Sequence, residues 1–219
     1  MTMKPKNAEE RVDWIYNSQS NDELAERYAE WAKSYEQDMS QGFDYRSPQF
    51  IADYLSRFVS KEGMILDAGA GTGMVGELLY QRGFQNLVAM DLSEGMLSEA
   101  RKKSVYADLQ VGILGQPLDF PTDAFEAVVS AGVFTLGHAP ASGFDELIRV
   151  TKPGGHIIFT LHSDLYEGTS GKGREFPDKL AALEQSGAWS LLERSDRLQS
   201  TPLNEPEVTI RVLVYRITK

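Results

Sequence analysis

The sequence predicts an α/β protein built on a doubly wound parallel sheet, and three observations carry that expectation. Short apolar runs alternate with stretches of helical period along the 219 residues. Residues 64–79, MILDAGAGTGMVGELL, pass from a strand buried on both sides, ending at Asp67, through glycines 69, 71 and 73 into a helix. An acid, Asp91, then ends the next apolar run, about twenty positions past the glycines.

A strand, a glycine turn and a helix opening from it make an anion- and ligand-binding corner. Glycine lets the backbone turn sharply and approach a ligand, while unpaired N–H groups at the helix start face outward. An acid at the end of the following strand is placed to accept hydrogen bonds from a ribose diol.

Composition narrows the partners. A net charge of −10 and a pI near 4.8 oppose a broad phosphate-binding face, so no nucleic-acid partner is expected. There are no cysteines, and the three histidines lack a close ligand pair with an acid, so neither disulfides nor a metal site is expected. The sequence shows no apolar signal core and no membrane-spanning stretch, which predicts a cytoplasmic protein with no membrane partner.

Taken in order, the first residues are polar and are expected to fray. Asn21 and Asp22 offer a helix cap, and Leu24, Tyr28, Trp31 and Tyr35 then form an aromatic stripe. Such a stripe is either core or the inner face of a lid over the glycine corner. A second helix is expected over 48–59, capped by Ser47, with Arg46 just outside, where it either reaches an anion or stays solvated. Residues 1–60 thus read as helices capping a core of residues 61–219 within one domain. Strands are expected at 86–90, 109–114, 124–130, 156–161, 191–198 and 208–217. Helices are expected at 93–103, 144–150 and 177–186, and residues 168–173 read as a glycine-rich mobile loop.

LDAGAGTG (66–73), AMDLSEGMLSEAR (89–101), FPTDAFEAVVS (120–130) and TKPGGHIIFT (151–160) resemble the core of class I S-adenosylmethionine-dependent methyltransferases. The resemblance covers nearly the whole chain. YAEWAKSYEQD (28–38), YRSP (45–48), LGQ (114–116) and VTKPGG (150–155) narrow it to methyltransferase-like proteins of the Williams–Beuren type. It implies a Rossmann-like seven-stranded sheet with an antiparallel last strand, S-adenosylmethionine as cofactor and a helical lid before the core. It also implies roles. Gly69, Ala70 and Gly71 would approach the methionine part, tied by Asp67, and Asp91 would bind the ribose. Leu92 and Met96 would pack on adenine, and Ser130 and Ala131 would border the transferring methyl. Many members carry an acid after the third strand for the adenine amino group. Here that position is Leu114, so the expectation passes to backbone groups of Leu114, Gly115 and Gln116 or to the Gln116 side chain.

Two other readings share these residues. Gly71-x-Gly73-x-x-Gly76 also spells a dinucleotide fingerprint of an NAD-type oxidoreductase, a weak signal by itself. A non-catalytic adenosine-binding module would need the same corner. Methyl transfer itself asks mainly for alignment and exclusion of water, and for a base only where the acceptor must lose a proton. His138, in the loop after the fourth strand, is the candidate base, and His162 also lies on the ligand edge of the sheet. Tyr28, Trp31 and Tyr35 would shape an acceptor pocket, for which the acidic balance favours a small molecule over a protein. The sequence does not fix an oligomeric state.

Overall fold

The computed structural model describes all residues except 1–4, 6, 136, 170–172 and 204–207. Three helices come first: α1 (Ala8–Tyr16), α2 (Asn21–Gln37) and α3 (Ser47–Phe58), with a π-helical turn, Asp38–Gly42, after α2. The core then runs β1 (Ile65–Ala68), α4 (Met74–Gln81), β2 (Leu87–Asp91), α5 (Glu94–Lys102), β3 (Asp108–Val111), β4 (Phe125–Phe134), α6 (Gly143–Val150) and β5 (Thr151–His162). It closes with α7 (Ser163–Glu167), α8 (Glu175–Gln185), β6 (Trp189–Arg194), β7 (Leu198–Thr201) and β8 (Val208–Ile217).

One sheet has the order β3-β2-β1-β4-β5-β8-β6, with β7 also paired to β8. β1 through β5 are parallel, and β8 runs antiparallel between β5 and β6. Leu66, Val128 and Phe159 pack on one face under α6 and α8, and Ile65, Val129 and Ile158 on the other under α3 and α4. With both faces covered, β1 is buried throughout, as its apolar run requires. β1 lies between β2 and β4, so the chain reverses direction across the sheet there, and a crevice opens at the carboxyl ends of those strands.

The first residues, expected to fray, lie mostly outside the described ones, and one unforeseen helix follows them: Asn7 Oδ1 accepts the Glu10 amide at 2.8 Å, Glu9 and Glu10 favour the first turn, and α1 buries Ile15. Three expectations change. Ser47 does not cap α3; its hydroxyl meets that of Ser200 at 2.7 Å. The segment 191–198 is not one strand. Ser195 Oγ accepts the Val212 amide at 2.8 Å and donates to Asp196 O at 2.7 Å, which bends the chain from β6 into β7 and raises the strand number to eight. β3 stops at Val111, leaving 112–114 to leave the sheet. Most of the glycine-rich stretch read as a mobile loop (170–172) lies outside the described residues. Among the described residues no helix is long and apolar enough to cross a membrane.

Candidate active site

The glycine corner is fastened to β2. Gly69 and Ala70 donate their amides to Met90 O at 2.7 and 3.0 Å, and Gly71 donates to Asp91 Oδ2 at 2.8 Å. Gly69 and Gly71 have φ of +80° and +56°. A Cβ on Gly69 would lie 2.2 Å from Val133 Cγ2, whereas one on Gly71 would meet nothing within 4 Å. The backbone at Gly71 therefore borders open space, as a ligand cradle must.

Two buried acids stand behind this corner. Asp91 also accepts the Ser93 amide at Oδ1, 2.9 Å, and Ser93 caps α5. Burial pushes the Asp91 carboxyl up to about 6, against the pull of the Ser93 and Gly71 amides. Tyr106 donates to Asp67 Oδ2 at 2.6 Å and accepts the Gly76 amide at 3.1 Å, while Asp67 Oδ1 is buried without a protein partner. Burial pushes Asp67 up to about 7. Tyr106 is a site residue that sequence reasoning missed, since nothing local links it to an acid thirty-nine positions away.

Two cavities meet here. A cleft of about 100 Å³ runs over Gly69, Gly71, Met90, Asp91, Leu92, Met96, Gly112, Ile113, Leu114, Ala131, Ala139 and Pro140, roofed by Asn21, Leu24, Tyr28 and Tyr35 of α2. A chamber of about 360 Å³ lies beyond, between α1, α2, the segment around Tyr45, the end of β5 and β7. Tyr28, Tyr35, Gly132 and His138 line both. His138 stands in this opening with Nε2 2.8 Å from the Tyr28 hydroxyl and Nδ1 2.9 Å from Thr135 Oγ1. Burial holds the Tyr28 and Tyr35 hydroxyls well above the usual phenol range, so both stay protonated. Gly132, at φ +70°, donates to Thr160 Oγ1, and a Cβ there would lie 2.2 Å from the Tyr45 hydroxyl.

Other candidates lie elsewhere. Gly115 and Gln116 are exposed and line neither cavity; Gly112 and Ile113 take their place beside Leu114 because β3 ends early. Ser130 is fully buried and donates to Ala68 O at 2.8 Å, which ties β4 to β1, and its neighbour Ala131 faces the cleft instead. Ala70 packs behind the loop with Ala89 and Leu97. Arg46 pairs with Asp44 at the surface and lines neither cavity. Trp31 lines only the chamber and donates to Asp38 at 2.6 Å. His162 lines the chamber too, with its Nδ1 buried and unpartnered in the protein.

This donor set suits an adenosine cofactor. The open backbone at Gly71 adjoins a carboxylate with lone pairs left for a diol, apolar Leu92, Met96 and Leu114 lie beside it, and Asp67 keeps one unpaired oxygen.

Comparison with known proteins agrees. Residues 66–159 match the methyltransferase domain family. Human methyltransferase-like protein 27 is 35% identical over 170 residues, which are 74% of this chain and 66% of that protein. The chain spans about two thirds of that relative and less of the next curated ones, 39% and 37%. Two solved structures share the fold. The putative methyltransferase complexed with the Trm112 methyltransferase activator of Haloferax volcanii gives a TM-score of 0.66 at 18% identity, covering 88% of this chain and 98% of its own. The TehB-like SAM-dependent methyltransferase of Corynebacterium glutamicum gives 0.63 at 20% identity, covering 88% and 99%. With this domain matched, a relative of 35% identity and the fold shared, the chain belongs to the S-adenosylmethionine-dependent methyltransferase family.

Proposed function

We propose that this chain binds S-adenosylmethionine in the cleft over Gly71 and Asp91 and methylates a small-molecule acceptor held in the adjoining chamber. One observation carries the reading: the two cavities meet at Tyr28, Tyr35, Gly132 and His138, beside the loop that would hold the methionine part. Asp91 would accept the ribose hydroxyls. Leu92, Met96, Ile113 and Leu114 would give adenine apolar walls, with backbone groups of 112–114 for its edge. Gly69 and Gly71 would let the backbone approach the methionine part, and Asp67, steadied by Tyr106, would take the ammonium directly or through water.

When bound, S-adenosylmethionine supplies a methyl group on a sulfonium, a leaving group already activated. The chain then has to align the acceptor and exclude water, effects worth on the order of 7–11 kcal/mol. The roof of Leu24, Tyr28 and Tyr35 serves both ends. Where the acceptor carries a proton, Tyr28 stands between the chamber and His138 Nε2 and can pass the proton to it, with Thr135 holding the other ring nitrogen.

The rival dinucleotide reading loses support at its own glycines. Gly73 is the glycine that would face pyrophosphate, and a Cβ there would lie 3.1 Å from the Tyr106 ring, so it makes room for protein instead. Calorimetry with S-adenosylhomocysteine and with NAD tests the ranking. Micromolar or tighter binding of the first and negligible binding of NAD is expected, and the opposite order reverses the assignment. A cofactor-dependent methylation screen over metabolite extracts, read as mass gain, separates an enzyme from a silent binding module.

A further inference from the structure

The chamber has walls of one chemical kind. Trp31, Tyr35, Phe43 and Tyr45 surround about 360 Å³, within the range of small-ligand pockets. Among its described lining residues the one acid is Asp13, which is exposed, and there is no lysine or arginine. Nearby Asp38 is already engaged by Trp31, Ser34 and Arg11. A charged guest would leave water without a counter-charge inside, which is costly for either sign.

The floor is polar but neutral. Thr160 and His162, two apart on β5, share a face of the sheet, and Thr201 comes from β7. Thr201 Oγ1 and His162 Nδ1 are buried without a protein partner, whereas Ser47 and Ser200 satisfy each other. Burial also lowers the His162 pKa, keeping the ring neutral. Buried polar atoms left unpaired by the protein are the ones a ligand gains most by meeting.

We propose that the acceptor is a neutral, planar, ring-bearing small molecule that packs among Trp31, Tyr35 and Tyr45 and gives a hydroxyl, carbonyl or amide group to His162 and Thr201. Its nucleophilic atom then faces the opening at Tyr28 and His138; that last clause rests on the methyl-transfer reading.

Calorimetry on the full chain tests this with 2,6-dihydroxynaphthalene as the neutral two-ended probe. 2-Naphthol, 6-hydroxy-2-naphthoate and 2-naphthylmethylammonium serve as its one-ended, anionic and cationic counterparts. The diol should bind about ten-fold more tightly than each of them, and Thr201→Val or His162→Phe should remove about ten-fold of its affinity. Retained S-adenosylhomocysteine affinity shows that the variants fold; if they do not, the charge series on the unmodified chain decides. Equal or tighter binding of either ion, no diol binding, or undiminished diol affinity in both folded variants overturns the proposal. Diol binding without any response to S-adenosylhomocysteine upholds the chamber chemistry and overturns the methyl-transfer reading. The reverse pattern does the opposite.

Discussion

Gly71 gives its amide to Asp91 Oδ2 across 2.8 Å, so the glycine turn and the acid at the end of β2, twenty residues apart, act as one clamp. The carboxylate holds the turn open toward the cleft while keeping lone pairs for a diol. Asp91→Ala should therefore cost about 1.5–3 kcal/mol of S-adenosylhomocysteine affinity, the scale of hydrogen bonds to a charged group. Ribose hydroxyls favour the ionised acid, so affinity should fall as pH drops through about 6, and Asp91→Asn should flatten that dependence. Calorimetry across pH checks both; a folded alanine variant with unchanged affinity takes Asp91 away from the ribose.

Asp67 and Asp91 have an opposite effect on the empty protein. Their folded pKa values, about 7 and about 6, lie above the ordinary 3.8, so between those limits the folded state holds more protons than the unfolded one. Their contribution to stability is therefore present at low pH and declines as pH rises through the folded values. Asp67→Asn should gain stability relative to the parent as pH goes from about 4 to about 7. Glu126 and Glu146 are held below their usual range and act in the other direction, but they are common to both proteins and cancel in the difference. Denaturant unfolding at several pH values measures it, and a constant difference refutes the assignment.

Gly76 sits inside a helix, where alanine ordinarily gains up to about 1 kcal/mol. Here the added carbon would lie 2.2 Å from the Tyr106 hydroxyl and push that ring off Asp67. Gly76→Ala should lose roughly 1–3 kcal/mol of stability. Adding Tyr106→Ala should turn the same change into a gain of up to about 1 kcal/mol, because the clash is gone. A stabilised single variant means that the ring moves freely.

Local chemistry explains what was legible. Turn, cap and strand-end acid lie in two short segments whose residue types fix their own backbone, so 67–73 and Asp91–Met96 could be read directly. α1 and β7 could not. α1 is nine residues with Ile15 as its buried side chain, and β7 is four residues set by a bend at Ser195. Those two elements bring Val12, Tyr16, Ser200 and Thr201 to the chamber. The chamber thus depends on elements placed by long-range contacts, while the glycine turn and Asp91 at the floor of the cleft are carried by two short segments.

Gln116 illustrates the same limit. With Leu114 at the register position for the adenine edge, the Gln116 side chain is one candidate for that role, yet the chain leaves the sheet at Gly112 and Gln116 is exposed, its backbone N–H donating to Ile113 O at 3.1 Å. Gln116→Ala should leave S-adenosylhomocysteine affinity within about 0.5 kcal/mol, as for an exposed position. Replacing the adenine amino group by hydrogen should still weaken binding through a lost backbone partner. A large loss on Gln116→Ala returns the role to that side chain.

The roof over the cofactor cleft has to move. The cleft holds about 100 Å³, whereas small-ligand pockets run to roughly 300–1,000 Å³. Leu24, Tyr28 and Tyr35 occupy that roof, so a nucleoside-sized ligand enters only if α2 swings away. Several contacts hold α2 down and must open together: Ser93 Oγ donates to Ala25 O at 3.0 Å, Lys103 pairs with Glu36 at 3.0 Å, Tyr28 meets His138 at 2.8 Å, Ala29 packs tightly on Gly95, and Leu24 and Trp31 are buried. The π-helical turn at its end is a geometry frequent at functional sites. Hydrogen exchange across residues 21–45 should accordingly be fast in the free protein and strongly slowed by S-adenosylhomocysteine, because closure buries the stripe against the ligand. Equal, slow exchange in both states would make α2 a fixed wall.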